Sequence, residues 1–214
     1  MVLSHSEGGS GGAVLPRNEG GDRGVVNSYS DALIMGVPDK RLTQIAVEVE
    51  SISHMLPDAR VFCGDSATLS AFRDNAPHSR LIHLATHALF RDDNPLFSCL
   101  HFADGWLLAR DVYGMRLRCD LVTLSACRTG QAGVESGDEM FGLLRGFLAA
   151  GARTVAVSFW PAEDAATAAL MTRFYTLLTQ GQSRAASLRA AQLEVREKWR
   201  HPYHWAAFAL FGER

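Results

Sequence analysis

From Ala32 onward, runs of consecutive apolar residues alternate with stretches whose apolar residues recur at helical spacing. The runs at 32–37, 60–63, 81–88, 121–127 and 154–160 read as strands. A strand that is apolar at nearly every position is buried on both faces, the condition of a parallel sheet covered by helices on either side. The intervening segments supply those helices. Leu42, Ile45, Ala46, Val49, Ile52 and Leu56 keep one apolar stripe, and Phe141, Leu144, Phe147 and Leu148 keep another that stops before Gly151. A short helix is expected at 67–75, with Ser66 as its N-cap. Two longer helices, 165–179 and 183–199, are parted by Gly181, and the tail 205–211 reads as a last strand. Asp104-Gly105 between two apolar stretches is a hairpin signal. The pattern predicts an α/β domain with a mostly parallel sheet.

Residues 1–28 stand apart. They include Gly8-Gly9-Ser10-Gly11-Gly12 and few apolar residues, too little to offset the entropy of ordering. The expected organisation is a Gly-rich leader or linker over 1–28 and one domain over 29–214. A formal charge of −2 argues against nucleic acid or an anionic membrane as a direct partner. No apolar run approaches the roughly 18–20 residues that span a bilayer, and the first residues lack a signal-peptide pattern. Cys63, Cys99, Cys119 and Cys127 form no CxxC pair, which suits a reducing, cytoplasmic setting with free thiols.

In a parallel sheet, chemistry gathers beyond the carboxyl ends of the strands. Two ends are loaded: His83-Leu84-Ala85-Thr86-His87-Ala88 and Leu124-Ser125-Ala126-Cys127-Arg128-Thr129-Gly130. If those strands are neighbours, His87 and Cys127 lie side by side. A thiol beside an imidazole can become a thiolate nucleophile, with the imidazole managing the proton. Backbone N–H groups of Ala88 and Cys127 would hold the oxyanion. On spacing alone, Cys127 reads as readily as a buried strand cysteine. His83 and His87 also have the H-x-x-x-H spacing of zinc sites, but on a strand they stand roughly 13 Å apart at about 3.3 Å per residue, too far to share one ion. No metal and no cofactor is expected, and His83 is expected to pack or hydrogen-bond below the site.

These two motifs resemble the CHAT family, bacterial caspase-fold proteins of the clan that holds caspases, separases and gingipains. The likeness continues through Asp138-Glu139, Gly142, Arg145-Gly146-Phe147-Leu148-Ala149-Ala150-Gly151-Ala152, Ser158-Phe159-Trp160-Pro161 and Pro202-Tyr203-His204-Trp205-Ala206-Ala207-Phe208. It implies a caspase-like three-layer α/β/α sandwich with a mostly parallel six-stranded sheet. It implies a cysteine endopeptidase acting on a protein or peptide through a His87/Cys127 dyad and a covalent thioacyl intermediate. Many relatives carry Gly where this chain has Ala88. Two positions before the nucleophile, where some relatives have a pocket acid, stands Ser125. Asp164, four residues after Trp160, is the candidate acid for a basic substrate side chain, and it equally suits the start of a helix. Ser158 to Trp160 would pair with substrate as an added strand. The Gly- and acid-rich segment after Arg128 is expected to be a loop that shapes the pocket.

Family members often follow helical-repeat arrays, so a helical-repeat sensor or activating partner is implied. The alternative is a catalytically idle CHAT scaffold or binding module. An unrelated nucleotide-binding or hydrolase domain has no support, since G-x-G-x-x-G, G-x-x-x-x-G-K-[ST] and G-x-S-x-G are missing.

Overall fold

The computed structural model describes residues 29, 31–38, 44–91, 93–128, 141–160 and 164–213, with backbone alone for 44, 126–128 and 164. The expected leader and the loop after Arg128 lie outside the described residues. Along the chain run β1 (Ala32–Gly36), α1 (Gln44–Met55), β2 (Arg60–Cys63), α2 (Leu69–Asn75), β3 (Leu81–Leu89), β4 (Cys99–Phe102), β5 (Gly105–Leu108) and α3 (Ala109–Tyr113). Then follow β6 (Leu121–Arg128), α4 (Phe141–Ala150), β7 (Thr154–Ser158), α5 (Asp164–Thr179), α6 (Arg184–Lys198), α7 (Pro202–Trp205) and β8 (Phe208–Gly212).

Six strands lie in the order β2-β1-β3-β6-β7-β8. The first five are parallel, and β8 returns antiparallel against β7. The hairpin β4–β5 adds two strands, joining the end of β3 through Ala88↔Leu100 and Leu89↔Cys99. The sheet is thus the expected mostly parallel one, enlarged by the hairpin.

Successive strand residues face opposite sides, and the core divides accordingly. Ile82 and Leu84 of β3 join Phe72 of α2, Val112 of α3 and Phe147 of α4. Leu81 and Ala85 join Ile52 of α1, Phe174 of α5 and Val195 of α6. These are the two helical layers of the sandwich. Close approach of neighbouring backbone requires glycine at positions that include Gly142 and Gly151. A Cβ at Gly142 would lie 2.1 Å from the Pro95 carbonyl oxygen, and one at Gly151, whose φ is +112°, would lie 2.3 Å from that of Leu117.

Three expectations need correction, and one element is new. The cap of α2 is Thr68, whose side chain accepts from the Ala71 N–H, while the Ser66 hydroxyl closes a tight turn onto Cys63. β7 stops at Ser158, because Phe159 and Trp160 already turn away. Trp205 ends the helical turn α7 and does not open a strand. Pro202 pre-sets the helical φ there, and the His201 ring accepts from the Tyr203 N–H. The short helix α3 follows directly on the hairpin and was not expected from the sequence.

Candidate active site

β3 and β6 are parallel neighbours, and their register pairs His87 with Cys127. Both stand at the carboxyl ends of their strands, where a parallel sheet collects function. The backbone of Cys127 is described and its side chain is not. His87 is 6% exposed. Ala88 sits within β3, paired with Arg128 and Leu100, so its backbone is extended and asks nothing of glycine. Ser125 is buried on β6, two residues before Cys127 and therefore on the same face.

His83 lies two strand-repeats below His87 on that face, fully buried. Its Nδ1 is 2.9 Å from the Tyr175 hydroxyl, which donates to Thr123 Oγ1 at 2.9 Å. Its Nε2 is 3.3 Å from Glu48 Oε1. Both ring nitrogens face protein partners, so His83 is a structural cross-link and offers neither to an ion shared with His87. The link ties β3 and β6 to α1 and α5, two residue-pair layers beneath the candidate dyad. Burial pushes the Tyr175 hydroxyl far above the ordinary phenol range, so it stays a donor.

A second feature flanks His87 on its other side. Beyond Gly36, β1 leaves the sheet, and β4 takes the place beside β3. The His101 ring meets the His87 ring edge-on at 6.3 Å, and Trp106, paired with His101 across the hairpin, packs on it at 4.7 Å. Thr86 Oγ1 donates to the His101 carbonyl at 2.5 Å and pins the hairpin to β3. The sequence signalled the hairpin but not where it docks, so His101 and Trp106 were not among the expected site residues.

The remaining expected residues spread along β7 and α5. Ser158 is buried, pairs with Phe208, and its hydroxyl donates to the Trp160 carbonyl at 2.9 Å. The Phe159 N–H donates to Ala207 O at 2.8 Å and the Trp160 indole to Tyr203 O at 2.7 Å. The side of this segment facing β8 is therefore occupied. Asp164 opens α5, and its side chain lies outside the described residues.

The other cysteines differ in kind. Burial raises the Cys119 thiol to about 12, and its S–H donates to the carbonyls of Arg80 and Leu121. Burial also raises Cys99, while Cys63 is only half-buried. A cleft of about 980 Å³ lies at the opposite, amino-terminal edge of the strands, bordered by Arg80, Arg116, Arg118 and Arg153 around Asp120. It includes none of the expected site residues. Among the described residues no helix is long and apolar enough to cross a membrane.

Comparison with known proteins bears on the family and the fold. A family profile described as CHAT domain matches residues 15–213. Tetratricopeptide repeat protein 28 is similar over 123 residues, 35% identical in Mus musculus and 34% in Homo sapiens. That stretch is 56% of this chain but 5% of each relative, so the chain corresponds to a small part of those proteins. The crystal structure of the Arg-specific cysteine proteinase gingipain R superposes with a TM-score of 0.60 over 86% of this chain and 46% of its own, at 10% identity. That likeness concerns fold alone. With the profile match spanning the whole described sheet, the chain belongs to the CHAT domain family and has the caspase-like fold.

Proposed function

We propose that this domain is a cysteine endopeptidase with Cys127 as nucleophile and His87 as general base and acid. The observation that carries the reading is the register: the one histidine and the one cysteine that end adjacent parallel strands are cross-strand partners. His87 takes the Cys127 proton, and the thiolate attacks the scissile carbonyl carbon, forming a C–S bond. The oxyanion is held by backbone N–H groups of Ala88 and Cys127. Collapse breaks the C–N bond as His87 returns the proton to the leaving amine. Water, deprotonated by His87, then breaks the thioester and restores the thiol. Removing the acid–base group costs about 10²–10⁴-fold in rate.

Ser125, Ser158, Trp160 and Asp164 are proposed to line the substrate side, with Asp164 selecting a basic side chain. A cytoplasmic setting is proposed from the free thiols. The tetratricopeptide-repeat relatives support a helical-repeat sensor or partner that governs activity. The test is digestion of a peptide library by the wild type, Cys127→Ala and His87→Ala, with circular dichroism to verify folding. Cleavage lost in both folded variants is expected. Full cleavage by either would leave the idle-scaffold reading in its place.

A further inference from the structure

The hairpin β4–β5 is amphipathic across its two faces. Leu100, Phe102 and Leu107 point into the core, each 1% exposed or less. The opposite face carries His101 and Trp106, and on the adjoining end of β3, Leu89 shares the face of His87. Trp106 is 40% and Leu89 41% exposed. Trp106 therefore presents a large, partly open ring on the face of a buried histidine.

Register orders the row. Cys127, His87, His101 and Trp106 stand on four successive strands, β6, β3, β4 and β5. Strands lie about 4.8 Å apart, so the row runs about 14 Å from the backbone of Cys127 to that of Trp106. His87 stands between Cys127 and His101. In the proposed reaction it must hand a proton to the leaving amine. That amine, and the chain beyond it, therefore lies on the side of His87 away from Cys127, over His101 and Trp106.

We propose that Trp106, backed by His101, forms the subsite for the first residues on the leaving-group side of the scissile bond, and that it takes aromatic or large apolar side chains. The inference rests on the peptidase reading and adds a specificity determinant to it. An indole held at 4.7 Å from an imidazole on one side has its other surface available for a ring. Leu89 stands on the same face one residue-pair layer further along β3.

The experiment uses two peptides with identical sequence before the cut, one with Phe and one with Gly in the two positions after it. A peptidyl acyloxymethyl ketone with a small acyloxy group, whose carboxylate leaves as the thiolate forms the C–S bond so that the adduct occupies only the side before the cut, reports separately on Cys127. The wild type should be labelled at Cys127 and should favour the Phe peptide in kcat/KM. In Trp106→Ala the Phe-to-Gly ratio should fall about tenfold, the scale of one lost aromatic contact with its buried area. Trp106→Phe should keep most of the ratio. A ratio unchanged in Trp106→Ala, with Cys127 still labelled, overturns the subsite and leaves the dyad standing. A wild type that neither labels at Cys127 nor cuts either peptide overturns the dyad and the subsite together.

Discussion

Replacing Tyr175 by Phe removes one oxygen from the deepest part of the molecule. Tyr175 is fully buried, and its hydroxyl joins His83 Nδ1 to Thr123 Oγ1 at 2.9 Å each. The ring is retained, so no side-chain-sized cavity opens, and the cost is almost wholly polar. The vacated space is smaller than a water molecule needs, so none replaces the hydroxyl. His83 has no exposed surface at all, and its Nδ1 is left without the hydroxyl. Such a group costs about 1–3 kcal/mol. Thr123 loses an incoming hydrogen bond but keeps its own donor, which adds about 1 kcal/mol. The sum is about 2–4 kcal/mol. Urea unfolding followed by tryptophan fluorescence should show the midpoint falling by about 1 M at a slope of about 2–3 kcal/mol/M. A cycle with Thr123→Val should show coupling of at least about 0.5 kcal/mol between the two positions. A loss below about 0.5 kcal/mol in Tyr175→Phe would refute the claim that this cross-link holds β3 to β6.

Other outcomes follow from single contacts. Gly142→Ala gains about 1 kcal/mol of helix propensity. It also drives a Cβ to 2.1 Å from the Pro95 carbonyl oxygen, so the clash wins and thermal unfolding should show a lower Tm. Asp120→Asn weakens the paired hydrogen bonds from Arg80 Nε and Nη2, and because Arg80 is half exposed the loss by denaturant titration should be only about 1 kcal/mol. Cys119 has an ordinary thiol value of 9.0 unfolded and about 12 folded, so its contribution is whole below pH 9 and lost as pH rises towards 12. Cys119→Ala should flatten stability against pH across that window. Brief alkylation of the native protein at pH 8, mapped by mass spectrometry, should modify Cys63 and spare Cys99 and Cys119.

Much of the sheet could be read in the sequence because double-sided burial leaves a local mark, an apolar run with no alternation. The same rule located His87 and Cys127, since strand ends are visible wherever the runs stop. What stayed hidden depends on partners far away in the chain. Ser66 and Thr68 are equivalent hydroxyls in a local reading, and only the backbone donor each meets separates them. Trp205 is aromatic enough for a strand, yet the proline three residues earlier had already committed the turn. His83 could be placed below the site by periodicity, but Tyr175 lies 92 residues further on, and no spacing rule joins them. Pairing of His101 with the end of β3 is likewise a docking outcome, set by where β1 departs.

That departure explains why the candidate site sits where it does along β3. Up to Ala85 the strand has β1 on one side and β6 on the other. Past Gly36 the β1 side would lie open, and His87 would stand on a half-exposed edge. The hairpin closes that edge with Leu100 and Cys99 on the last two residues of β3, and the Thr86–His101 hydrogen bond locks it there. His87 is thereby interior to the sheet at the level where chemistry is proposed, flanked by backbone on both sides. Catalytic groups lose much of their effect when displaced by about 1 Å. Loosening the hairpin should therefore damage His87 even though the hairpin supplies neither member of the proposed dyad. Thr86→Val tests this: it keeps the side-chain shape, deletes the bond to the His101 carbonyl, and should lower kcat more than it raises KM. A change in KM alone would mean that the hairpin serves substrate binding and does not position His87.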